Sequence, residues 1–111
     1  ELGRRYVDLG FLLSIHTSVT YPKARHTQRV ARELALEALV AETDSPYGAP
    51  QSQRGKRNEP ACVSEAVAAI AELRGAPVDV VAEATTQNAL RLLTSRSSAP
   101  APAQSGALRG A

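Results

Sequence analysis

Two short apolar runs separated by one amphipathic stretch decide most of what this chain can become. Phe11 to Ile15 reads FLLSI, and Ala38 to Thr43 reads ALVAET. Apolar runs of this length, bounded by turn residues, read as buried strands. Between them, from Lys23 to about Ala35, residues Ala24, Val30, Ala31 and Leu34 recur at helical spacing and form one inward stripe. Strand, helix and strand in this space make a βαβ unit, which requires parallel pairing and a right-handed crossover.

The rest of the pattern is helical. Residues 1–9 read as the end of a helix stopped by Gly10. A helix is predicted over Ala61 to Arg74, with Val63, Ala66, Val67, Ile70 and Leu73 inward and Gly75 as its stop. Another is predicted over Val78 to Leu93, with Pro77 near its first turn and Val81, Ala82, Ala89, Leu90 and Leu93 on its apolar face. From Thr94 onward bulky apolar residues almost vanish, so residues 95–111 are expected to form a disordered Ala/Pro/Ser tail. This inventory creates a difficulty. Parallel sheets are normally buried on both faces, and two strands with these helices do not close such a layer. An α/β architecture is therefore expected in which this chain is part of something larger.

Composition narrows the classes. The chain has 111 residues, the size of one small domain. No apolar run reaches the ~18 residues of a membrane span. The lone Cys62 forms no internal disulfide and no zinc cluster, which fits a reducing cytoplasm. A net charge of +2 is too small to imply nucleic-acid binding.

The second run ends in LVAETDSPYGAP, Leu39 to Pro50. Proline prevents regular continuation, so Glu42 and Asp44 fall at the carboxyl end of a strand, where α/β folds place their chemistry. From the residues alone Asp44 has two readings. It supplies a carboxylate oxygen to a hard divalent cation, or it caps the Ser-Pro turn as an Asx turn. The polar loop from Ser45 to Pro60 far exceeds the usual ~2–6 residues of a βα connection.

Three segments in order, ETDSPY, RGKRNEP and EATTQNALRLL, resemble the C-terminal part of TatD-type metal-dependent deoxyribonucleases, members of the amidohydrolase-like (β/α)8 barrels. The resemblance covers residues 1–94. It implies the last quarter to third of a TIM-type barrel, with its final two parallel strands and flanking helices. It implies that Asp44 is a metal ligand with a catalytic role, binding one of two divalent cations in the intact protein and able to receive a proton from the attacking water. DNA phosphodiester hydrolysis is the implied reaction. The family's other ligands include a His-x-His pair, and the only histidines here are His16 and His26. The chain is thus expected to be a C-terminal piece, inactive without the N-terminal barrel segment. A related ester- or aminoacyl-cleaving hydrolase and a non-enzymatic fragment are the competing readings.

Around Asp44, Glu42 points to the same face and is expected to orient a ligand histidine, to bind Arg57, or to form a structural ion pair. Arg57, Asn58 and Glu59, in the RNEP segment, are expected to shape the rim. Glu59 and Pro60 equally suit the first turn of a helix. Arg54 and Lys56 read as phosphate holders or as a solvated loop face. Tyr47 is a rim or packing residue, and Asn88 is expected to fasten backbone near the barrel. The family commonly carries a small Ser-Gly-type pair where this chain has His16 and Thr17. His16 is thus an added ligand, an acid/base group or a tolerated polar residue. His26 is expected at the surface, and Cys62 as an inert thiol.

Overall fold

The computed structural model describes residues 1–95. Helix α1 spans Leu2–Asp8, strand β1 Leu13–His16, helix α2 Arg25–Glu33 and strand β2 Leu39–Glu42; helices α3 (Val63–Arg74) and α4 (Val78–Ser95) follow. Short 3-10 turns occupy Thr17–Thr20, Leu36–Ala38, Gln51–Gln53 and Pro60–Cys62. The strands pair in parallel, with Leu13 opposite Leu39 and His16 opposite Glu42. The expected βαβ unit is present.

Strand alternation sorts the side chains. Leu13, Ile15, Leu39 and Ala41 face the helices, and Ile15 and Leu39 join Val19, Ile70 and Val81 in the buried core. On the opposite face Ser14 and Glu42 are exposed and Val40 and His16 half-buried. A parallel sheet left open on one face is what the inner wall of a barrel presents when only two of its strands are in view.

Two polar clamps bind the helices to this unit. The guanidinium of Arg74 donates through one nitrogen to the carbonyls of Ala31 (2.8 Å) and Leu34 (2.7 Å), satisfying acceptors at the end of α2. Just beyond it, Gly75 adopts φ +63, and the Ala76 amide reaches back to the Ala71 carbonyl at 3.0 Å. That is a Schellman-type stop, which favours glycine.

The second clamp is Asn88, only 3% exposed. Its amide donates to the carbonyls of Leu36 (2.9 Å) and Leu39 (2.7 Å) at the entry of β2. Its own oxygen accepts from Arg91. The expected backbone-fastening role of Asn88 is what the structure shows. Asn88→Ala is expected to destabilise the chain by about 2 kcal/mol, because buried carbonyls lose their donor. The urea midpoint measures this.

Several expectations need correction. β1 begins at Leu13, not Phe11, and takes in His16. Phe11 is 55% exposed and packs edge-on against Tyr6 instead. The segment after β1 is a 3-10 turn that places Val19 in the core. Helix α4 runs to Ser95, so Thr94 and Ser95 are helical; the remainder of the tail expected over 95–111 lies outside the described residues. Leu90 and Leu93 point outward, at 48% and 65% exposure. The inward stripe is Val81, Thr85 and Asn88: Val81 joins the core, Thr85 bonds back to the Val81 carbonyl of its own helix, and Asn88 meets carbonyls at the start of β2 that need a donor.

Candidate functional site

The site lies where β2 ends. Asp44 has φ +57, the left-handed region that costs a residue bearing a Cβ and that Asp and Asn tolerate best. A turn follows, with the Tyr47 amide donating to the Asp44 carbonyl at 3.0 Å. The side chain that caps this turn belongs to Thr43. Its hydroxyl oxygen accepts from the Ser45 amide (3.3 Å) and the Ser45 hydroxyl (2.8 Å). The Asx-turn reading of Asp44 therefore gives way, since the β-hydroxyl one residue earlier does that job. The exposed Asp44 carboxylate has no hydrogen-bond or ion-pair partner among the described residues.

Beneath the turn the loop is built like a small core. Asn58, 1% exposed, donates through its amide to the carbonyls of Thr43 (2.6 Å) and Tyr47 (2.8 Å) and more weakly to Gly48 (3.3 Å). Its oxygen accepts from the Glu59 amide at 3.0 Å, and its own amide N–H reaches the Pro46 carbonyl at 3.0 Å. Asn58 thus ties both ends of the turn to the chain that leaves it. This places Asn58 under the rim, not on it. Thr17, fully buried after β1, donates to the Gly48 carbonyl at 2.7 Å. Tyr21 donates to Ala49 at 2.7 Å, and the Gln51 amide donates to Thr20 at 2.8 Å. The connection after β1 therefore holds the loop after β2. Nothing in the sequence marked Thr17, Thr20 or Tyr21 for this role, because their partners lie 28 to 31 residues away.

The remaining expected residues sort by position. Arg57 and Glu59 are exposed and line, with Ser45 and Pro46, a shallow cleft of about 500 Å³ beside the turn. Glu42 is exposed, and no ion pair joins it to Arg57: among the described residues the one salt bridge is Arg29–Glu33 on α2. Of the three readings of Glu42, neither the Arg57 pair nor a structural ion pair is formed among the described residues. Pro60 starts the 3-10 turn that leads into α3, and Glu59 occupies its cap position without a side-chain bond. The Arg54 guanidinium lies 4.5 Å over the Tyr21 ring, a cation–π arrangement that holds it on the rim. Lys56 is exposed and Tyr47 is 72% exposed, a rim residue. His26 is at the surface and Cys62 is buried with a free thiol.

A divalent cation needs several oxygen or nitrogen ligands. Among the described residues no three His, Cys, Asp or Glu side chains converge as such a site requires. The unengaged Asp44 carboxylate could supply one oxygen to such a set, and the described residues do not complete it.

A parallel strand pair backed by helices, with an unengaged carboxylate at the strand ends, is the arrangement that two neighbouring units of a (β/α)8 barrel present. The chain belongs to the TatD related DNase family, whose model matches residues 1–94. It is 41% identical over 92 residues to the uncharacterized metal-dependent hydrolase YcfH of Escherichia coli strain K12, covering 83% of this chain and 35% of that protein. It is 38% identical over 92 residues to the uncharacterized metal-dependent hydrolase YabD of Bacillus subtilis strain 168, covering 83% of this chain and 36% of YabD. The crystal structure of YJJV, a TatD homolog from Escherichia coli K12, superposes with a TM-score of 0.71 at 34% identity, over 78% of this chain and 33% of the other. The chain thus spans about a third of the length of the curated relatives it matches.

Proposed function

We propose that this chain supplies the final strand-end ligand and the substrate rim of a metal-dependent hydrolase that cleaves DNA phosphodiester bonds. One observation carries the reading. Asp44 stands in a costly backbone conformation, yet its carboxylate takes no part in the turn that holds it there. Residues kept in such conformations without a local gain cluster at functional sites. Asp44 binds one divalent cation in this reading. Other barrel strands contribute the remaining ligands and the place for a second cation. When bound, such cations act as Lewis acids and lower the pKa of a coordinated water. This chain's part is to hold the carboxylate rigidly through Thr43, Asn58 and Thr17, and to offer Arg54, Lys56 and Arg57 to the anionic backbone of the substrate. Glu42 and Glu59 complete the polar rim. The partners are then DNA and the rest of the barrel. No helix among the described residues is long and apolar enough to cross a membrane, and the reading places the protein in the cytoplasm.

The test is a chimera in which residues 1–94 replace the matching segment of YcfH. It is expected to hydrolyse single-stranded DNA with Mg2+ or Mn2+ and to lose that activity after chelation. The 111-residue chain alone is expected to be inactive. Cleavage of an aminoacyl ester with DNA untouched would replace the nuclease reading by an esterase one. DNA cleavage that survives chelation would remove the metal from it.

A further inference from the structure

The loop after β2 carries three basic side chains, Arg54, Lys56 and Arg57, and all three are exposed. Among the described residues only Arg54 is held by other side chains. Its guanidinium lies 4.5 Å over the Tyr21 ring, and one of its nitrogens stands 3.5 Å from the side-chain oxygen of Gln51. The ring that carries it is fixed at both ends. The Tyr21 hydroxyl donates to the Ala49 carbonyl at 2.7 Å. The Tyr21 amide donates to the Ser18 carbonyl at 2.9 Å, and the Tyr21 carbonyl accepts from the Gln28 side chain of α2 at 2.8 Å. Gln51 is seated as well, its amide on the Thr20 hydroxyl. Tyr21 ends the 3-10 turn that follows β1, and Arg54 ends the one in the loop that follows β2. Both connections leave the carboxyl ends of the parallel strands. The guanidinium is thereby set on the strand-end side of the sheet, in the loop that opens with the Asp44 turn.

Other arginines of this chain give their donors to the fold. Arg74 donates to the Ala31 and Leu34 carbonyls, Arg91 to the Glu37 carbonyl and the Asn88 oxygen, and Arg29 to Glu33. Arg54 meets no carboxylate among the described residues. Glu65 of α3, which reaches this loop, accepts from the Ser52 hydroxyl instead. The Tyr21 ring covers a face of the planar guanidinium, and Gln51 meets one nitrogen. The rest of the in-plane N–H fork is free, and that fork matches a phosphate. A charged group whose rotamer is already set loses less entropy when it grips a ligand. The imidazole at the same strand ends has no such freedom. His16 Nδ1 accepts from the Ser18 amide at 2.9 Å, and Gly48 closes the other edge so tightly that a Cβ there would stand 2.8 Å from Nε2. His16 is a packed polar residue.

We propose that Arg54 is the basic residue of the rim that grips a phosphate of the substrate strand, with Tyr21 as its positioning residue. The phosphate is one that flanks the scissile bond, so Arg54 binds and does not take part in the bond-breaking step. The assignment rests on the phosphodiester reading above and deepens it, by singling out one of three basic side chains and naming what aims it.

The experiment measures binding of a short fluorescent oligothymidylate to the 111-residue chain, by anisotropy across a salt series. Arg54→Gln is expected to weaken binding about tenfold. It is also expected to lower the slope of log affinity against log salt by about 0.7, the loss of one single-strand phosphate contact. Arg5→Gln removes the same charge from α1 and is expected to leave that slope alone. Tyr21→Leu removes the ring and is expected to weaken binding about two- to fivefold, but to add nothing once Arg54 is replaced. Tyr21→Phe keeps the ring and is expected to bind better than Tyr21→Leu, which separates the ring from the hydroxyl that braces Ala49. In the YcfH chimera Arg54→Gln is expected to raise KM more than it lowers kcat. No measurable binding by the unsubstituted chain, an unchanged slope in Arg54→Gln, an equal slope loss in Arg5→Gln, or a Tyr21→Leu effect that persists in the Arg54→Gln chain would each overturn the proposal. A DNA-cleaving chimera whose KM ignores Arg54→Gln would remove this assignment alone. The expected slope loss beside a chimera that spares DNA would remove the nuclease reading alone.

Discussion

Asp44→Asn is expected to lower DNA hydrolysis by the YcfH chimera at least about a hundredfold while leaving the chain as stable as before. The first half follows from the proposed ligand role. Loss of groups that merely support a metal ligand already costs about 10–100-fold, and asparagine exchanges a charged oxygen for a neutral one. The second half follows from the geometry. The carboxylate has no protein partner to lose, Thr43 caps the turn, and Asn enters the left-handed region at least as readily as Asp. Steady-state kinetics of the chimera and urea unfolding of the 111-residue variant read the two halves separately. A fall in stability with activity retained would make Asp44 a turn residue and nothing more.

Asn58→Asp is expected to have the largest effect on stability, about 3–5 kcal/mol. The substitution barely alters shape. It places a carboxylate against the carbonyls of Thr43, Tyr47 and Gly48, which now receive donated hydrogens. Buried acceptors would face one another with no donor between them, and a buried charge would lack a partner. The loss is expected first in the 43–58 loop, so amide exchange there should accelerate before α3 and α4 respond. Urea unfolding gives the total and hydrogen exchange gives its location. A change below about 1 kcal/mol would mean that Thr17 and Tyr21 hold the loop without it.

Both predictions concern residues visible in the sequence, but they were visible in different ways. Asp44 stood out because an apolar run stops at ETDSP, and a proline after a strand leaves few conformations open. Asn58 stood out only as part of the RNEP segment. Its actual place, under the loop with its amide on three carbonyls, required knowing that Thr43, Tyr47 and Gly48 curl around one point. Glu42 shows the converse. Its face was legible from strand alternation, but its partner was not, because no spacing rule links it to Arg57.

What the sequence determined by itself was local: two strands, the helix between them, the Gly75 stop, and the strand-end position of Asp44. These depend on side-chain periodicity and on backbone restrictions at Gly and Pro, which act over a few residues. The tertiary structure alone decided that Thr43 rather than Asp44 caps the turn, that Thr17 and Tyr21 brace a loop 28 to 31 residues away, that Asn88 rather than Leu90 faces inward, and that His16 is confined by a glycine. Each depends on which carbonyls are brought close by the parallel crossover. A buried carbonyl takes whatever donor the fold delivers to it, and hydrophobic periodicity carries no record of which donor that will be.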